Sequence, residues 1–149
     1  MTEVRFYHLT TTTLEAALPK LLEKSLERGW RALVLAGSPE RVERLAEHLW
    51  TYDDHGFLPH GTAKDGRPEQ QPIWLSTEDE NVNGADVLFL VDGGVTAQPG
   101  TFTLVAEVFD GNDPEAVQAA RKRWKGYKEA GHALTYWKQD DRGRWQKGG

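Results

Sequence analysis

The run at residues 85–91, ADVLFLV, is the most apolar stretch of the chain and is interrupted only by Asp86. A strand with so little polar surface must be covered on both faces, the condition of a strand in a parallel sheet sandwiched between helices. It is expected at the centre of that sheet, ended by the turn Asp92-Gly93-Gly94. Residues 30–36, WRALVLA, form a second run of the same kind. Both segments read as strands buried on both faces.

Around them, strands and helices alternate. Residues 4–9, 72–76, 103–109 and 132–139 read as further strands. Between the first two strands, Leu14, Leu18, Leu21, Leu22 and Leu26 recur at helical spacing after four threonines that can each serve as an N-cap, and the segment stops at Gly29. Pro19 is expected to kink this helix or move its start to about Ala17. Ser38-Pro39-Glu40 caps a second helix with Val42, Leu45, Ala46, Leu49 and Trp50 expected inward. Residues 51–71 are polar and rich in Gly, Pro, Asp and His, a long loop for a compact domain. Residues 140–143 are suited to turn a small hairpin back through Trp145. The pattern predicts a single three-layer α/β/α domain over residues 1–149 with a mostly parallel sheet, residues 138–149 forming a C-terminal extension.

The third helix, residues 113–131, carries the densest functional signal. Asp113 and Pro114 supply an N-cap and a first-turn proline, and Gly131 supplies the usual C′ residue. At about 100° per residue, Ala116, Ala120, Trp124 and Tyr127 fall on one apolar arc with Val117 at its edge. Arg121, Lys125 and Lys128 lie immediately beside that arc, and Lys122 a little further round. The chain as a whole is acidic, with a net charge of −5. Broad attraction to nucleic acid or anionic membranes is therefore not expected, nor is direct nucleic-acid binding. A local basic stripe beside an indole suits an acidic peptide ending in an apolar residue and a free carboxylate, because Arg holds a carboxylate through two parallel hydrogen bonds.

Enzymatic readings are weaker. There is no cysteine, which excludes disulfides, thiolate nucleophiles and Cys-based zinc sites. No glycine follows the first strand, where HLTTTTLE stands, so a phosphate loop is missing. Ser38, at a helix N-terminus, and Asp92, after an apolar strand, support the alternative of a small nucleotide-binding α/β enzyme; helix cap and turn residue are the simpler readings. His55 and His60, with Asp53 and Asp54, read as solvated loop residues rather than metal ligands. His8 and His132 stand near strand ends without an identifiable partner. No metal or cofactor is expected. No apolar run approaches the roughly 20 residues that span a bilayer. The N-terminus, MTEVRFYHL, does not resemble a signal peptide, and a cytoplasmic location is expected. Trp50, the last apolar residue of its helix, and Phe57, in a polar loop, could together form an exposed aromatic patch for a second protein.

Several segments carry a resemblance when taken in order: FYHL at 6–9, LW at 49–50, FLPHG at 57–61, PIWL at 72–75, VLFLVDGG at 87–94, EVFDG at 107–111, and AR-x-RW-x-x-YK-x-AG at 120–131. Together they resemble the chi subunit family of bacterial DNA polymerase III (HolC). The resemblance implies a Rossmann-like domain without nucleotide binding and a non-catalytic accessory subunit of the clamp-loader complex. It implies that the protein tethers the replisome to single-stranded DNA-binding protein by holding that protein's acidic C-terminal tail, which ends in Pro-Phe. The tail-binding Arg, aromatic residue and Lys correspond to Arg121, Trp124 and Lys125, with Lys128 on the same stripe. Where the family carries a basic residue one turn before the Arg, this chain has Val117, which implies a less basic site. Trp50 and Phe57 correspond to an aromatic pair that binds the psi subunit or, alternatively, a repair helicase.

Overall fold

The computed structural model describes residues 2–51 and 59–148. Strands β1 (Glu3–Leu9), β2 (Ala32–Ala36), β3 (Ile73–Ser76), β4 (Val87–Val91), β5 (Leu104–Asp110), β6 (Ala133–Gln139) and β7 (Trp145–Gly148) alternate with helices α1 (Leu14–Glu27), α2 (Pro39–Thr51) and α3 (Pro114–Glu129). One seven-stranded sheet runs in the order β3-β2-β4-β5-β1-β6-β7. Every pairing from β3 through to β6 is parallel, and β7 closes the far edge as an antiparallel hairpin partner of β6. Every residue of β2 and of β4 is buried, as their continuous apolar runs require.

Two apolar layers sandwich the sheet. On one face, Leu14, Leu18 and Leu22 of α1 and Val42, Leu45 and Leu49 of α2 pack against Val34, Ala36, Phe89 and Val91. On the other, Ala120 of α3 packs with Phe6, Leu33, Leu35, Leu90 and Val105, and Trp124, Tyr127 and Tyr136 lie against that cluster. The result is the three-layer α/β/α domain that the alternation of elements predicts.

Four expectations are corrected. The start of α1 is not displaced to Ala17: the helix runs unbroken from Leu14, because the Thr13 side chain caps it by accepting from the Ala16 N–H at 3.2 Å. Pro19 is accommodated inside that helix and buried. β4 is the third strand from one edge rather than the central one, since β6 and β7 extend the sheet on the other side and leave β5 in the middle. Trp50 does not face inward; it lies at the edge of the arc defined by Val42, Leu45 and Leu49 and is 55% exposed. His60 is not solvated: it is buried, its Nε2–H donates to the Ala46 carbonyl at 3.0 Å, and its ring lies 4.5 Å from that of Trp50.

The C-terminal hairpin has a structural role that its composition did not reveal. Trp145 packs edge-on against Tyr7 at 5.0 Å, and Asp140 organises the turn by accepting from the N–H groups of Arg142 and Arg144, each at 2.9 Å. The Gln139 side chain, buried at the end of β6, reaches across to the β1–α1 loop. Its Oε1 accepts from the N–H groups of Thr10, Thr11 and Thr12 at 3.0, 3.1 and 3.2 Å.

Candidate functional site

The candidate site is built where α3 packs over β5, β1 and β6. Strand register sets two rows of side chains beneath the helix. Glu107, Phe6 and Tyr136 are neighbours in one row, and Phe109, His8 and Lys138 in the next. Glu107 is a carboxylate inside an otherwise apolar stretch of strand, only 1% exposed. Burial pushes its pKa above the usual carboxylate range, while Arg123 and the Tyr127 hydroxyl pull it back. Arg123 Nε and Tyr127 Oη, one turn apart on α3, both donate to its Oε2 at 2.8 Å. Burial in turn raises the Tyr127 phenol far above its ordinary value, with Glu107 adding to the effect. This clamp fixes the rotation of α3 over the sheet and thereby which of its residues face solvent.

With Arg123 and Tyr127 turned to Glu107, Trp124 lands on the aromatic floor. Its ring lies 5.2 Å from Phe6 and 6.0 Å from Tyr136, in edge-to-face contacts. A cavity of about 320 Å³ opens beside it, lined by Phe6, Phe109, Val117, Ala120, Arg121, Trp124 and Tyr136. His8, half-buried, stands at the next level of the sheet, its Nδ1 hydrogen-bonded to the Tyr136 hydroxyl. Burial lowers the His8 pKa, and nearby Lys138 and Arg121 lower it further against the opposing pull of Asp110. Burial also raises the Tyr136 phenol, with Arg121 opposing.

Of the residues singled out by sequence, Val117, Arg121 and Trp124 are therefore brought together on one cavity. Lys125 and Lys128 continue the stripe along the exposed face of α3. Among the described residues, no carboxylate lies within ion-pairing distance of Arg121, Lys125 or Lys128. Sequence reasoning missed Glu107, Arg123 and the polar role of Tyr127. The signal was a lone acid flanked on both sides by apolar strand residues, which a buried partner has to match. It also left His8 without a partner, because the hydroxyl it meets is 128 residues away.

The nucleotide alternative meets a different geometry. Ser38 Oγ accepts from the Arg41 N–H at 3.3 Å and acts as a helix cap. Asp92 adopts a positive φ of 45° and accepts from Arg41 Nε at 2.7 Å, and Arg41 Nη2 in turn holds Glu15 at 2.7 Å. The three N–H groups after β1 that face the strand ends are taken by Gln139. A cavity of about 690 Å³ above those strand ends is walled by Glu15, Asp92, Asp110, Asp113 and Glu115, with both of its arginines already paired to carboxylates. Such surroundings repel a phosphate.

On the opposite layer, α2 presents Trp50 to solvent over His60. Phe57, together with His55, Asp53 and Asp54, lies outside the described residues. No group of three potential metal ligands occurs among the described residues, and no helix among them is long and apolar enough to cross a membrane.

The sequence model of the family described as DNA polymerase III chi subunit, HolC, matches residues 1–135. The chain belongs to this family. It is 32% identical over 91 residues to a Rickettsia prowazekii protein described as a probable DNA polymerase III subunit chi, covering 61% of this chain. That match spans 55% of the Rickettsia protein's own length. It is 26% identical over 137 residues to the DNA polymerase III subunit chi of Pseudomonas aeruginosa, covering 90% of this chain and 94% of that protein. Membership supports an accessory replication subunit. All the helix residues of the candidate site lie within the part of the chi-family chain that the family model matches. The last residues of β6 and all of β7 lie beyond it.

Proposed function

We propose that this chi-family chain is a non-catalytic adaptor of the DNA polymerase III clamp-loader complex. It tethers the replisome by holding the acidic C-terminal tail of single-stranded DNA-binding protein in the α3 cavity. The observation that carries this reading is the coincidence of three cations without carboxylate partners among the described residues, Arg121, Lys125 and Lys128, with an aromatic-floored cavity of about 320 Å³. Acidic side chains of the tail lie along the basic stripe, and the terminal apolar side chain enters beside Trp124. Arg121, at the cavity mouth, receives a carboxylate. Because both partners are acidic overall, attraction is local and weakens as salt is added. Many tails per target allow even a micromolar site, worth roughly −8 kcal/mol, to hold through effective concentration. Trp50 on the α2 layer belongs to a second interface, toward the psi subunit or a repair helicase.

Calorimetric titration with a tail peptide tests the reading. Binding is expected to weaken at least tenfold in Arg121→Ala and when the final Phe of the peptide is replaced by Ala. An Arg121→Ala variant that binds as tightly as the parent removes the α3 cavity from the interaction.

A further inference from the structure

We infer that Lys138, outside the residues matched by the family model, is a second cation of the tail site and holds the terminal carboxylate of the peptide from the sheet while Arg121 holds it from the helix. This rests on the tail-binding reading and adds to it a residue on the sheet that sets specificity for a free C-terminus.

The placement follows from strand register. In paired parallel strands, residues in register share a face, and residues two apart along a strand share it as well. Phe6 and Tyr136 are in register, and both rings contact Trp124 of α3. His8 and Lys138, each two residues further on and again in register, therefore stand on the same face at the next level. His8 confirms the direction: its ring lies 5.1 Å from Phe109 and 5.7 Å from Tyr136, two of the residues lining the cavity. Lys138, from the sheet, and Arg121, from the helix, both lower the pKa of this one imidazole by their charge. Lys138 is exposed and has no carboxylate within ion-pairing distance among the described residues.

Charge around the rim explains why the carboxylate needs a partner from the sheet. Toward the N-terminus of α3 the stripe holds Pro114, Val117 and Gln118, with no cation, and Asp110 and Asp113 stand beyond them. Toward the C-terminus, Lys125 and Lys128 extend about 10 Å past Arg121 at 1.5 Å per residue, where the acidic side chains of the tail run. A carboxylate seated at the mouth thus meets Arg121 on the helix and, on the sheet, Lys138 in register with His8. Arg supplies the two-pronged hydrogen bond, and the lysine ammonium on its flexible stem supplies a point charge.

Two peptides of the same tail sequence, one with a free C-terminus and one amidated, are titrated into the parent, Lys138→Ala, Lys138→Arg and Arg121→Ala. The parent is expected to prefer the free carboxylate. Lys138→Ala is expected to bind that peptide about fivefold more weakly while holding the amide with unchanged affinity, and Lys138→Arg is expected to restore the preference. A Lys138→Ala variant that keeps the parent's full preference overturns the role of Lys138 and leaves the tail-binding reading intact. Equal affinity of the parent for the two peptides overturns the hold of both cations on the carboxylate. Failure of the parent to bind either peptide, or an undiminished Arg121→Ala variant, overturns the tail-binding reading and this inference with it.

Discussion

Replacing Arg123 by alanine tests whether α3 is held in place by the Glu107 clamp. Breaking a fully buried ion pair by removing one partner costs about 3–5 kcal/mol. Here the Arg123 side chain is 27% exposed and the Tyr127 hydroxyl still donates to the same oxygen, so about 2–3 kcal/mol is expected. For a chain of this size that is a fall in Tm of roughly 5–10 °C. The loss depends on pH with a definite sign. Burial already holds the folded-state pKa of Glu107 above its unfolded value, and Arg123 is the first group opposing that shift. The contribution of such an acid to stability is greatest below the unfolded pKa and declines as pH rises through the folded one. Removing Arg123 raises the folded pKa further, so the variant loses more relative to the parent at pH 7.5 than at pH 5. Urea unfolding followed by tryptophan fluorescence at both pH values measures this directly. A destabilisation below about 0.5 kcal/mol, the bound for an ordinary surface change, or one of equal size at both pH values, refutes the clamp.

Other outcomes follow from the same structure. Trp50→Ala, at a side chain 55% exposed, should cost less than about 1 kcal/mol in a thermal melt. It should leave tail-peptide affinity unchanged while weakening the second partner; a folded variant that loses the peptide would contradict the placement of two separate surfaces. Deleting residues 140–149 removes β7 and the Trp145 ring from Tyr7 and leaves the β6 edge unpaired. A loss of about 2–3 kcal/mol with increased self-association is expected in denaturant titration and light scattering, and unaltered behaviour would deny the hairpin its structural role. Gly126, in the exposed part of α3, has nothing beyond its chain neighbours and its own stretch of helix backbone within 4 Å of the point where an alanine Cβ would sit. Gly126→Ala should therefore raise stability by about 0.5–1 kcal/mol, and a fall would show that this turn of α3 is not an ordinary helix interior.

What could be read from the chain alone was whatever depends on neighbours in sequence. The unbroken apolar runs of β2 and β4 demanded coverage on both faces, and the caps Asp113 and Gly131 marked the ends of α3 to the residue. The alignment of Arg121, Val117 and Trp124 on that helix was equally a matter of local periodicity. What escaped depends on the path of the chain. Glu107 meets Arg123 and Tyr127 only because β5 lies under α3, and Gln139 reaches Thr10–Thr12 only because β6 is added beside β1. Neither pairing leaves a periodic trace. Trp50 was ambiguous for a physical reason: a residue at the margin of an apolar arc is turned in or out by what packs beside it, and here His60 occupies the space next to it. The cavity itself was invisible in the sequence, since two of its walls, Phe109 and Tyr136, come from strands that flank β1 in the sheet but not along the chain.

The most direct test of where the tail binds is a titration of the indole N–H resonances, which report each tryptophan separately in one nitrogen-resolved spectrum. On addition of the acidic tail peptide, the Trp124 signal should shift in a saturable way and the Trp50 signal, on the opposite layer of the sheet, should stay in place. A saturable shift of Trp50 with Trp124 unmoved would contradict the assignment of the tail to the α3 cavity.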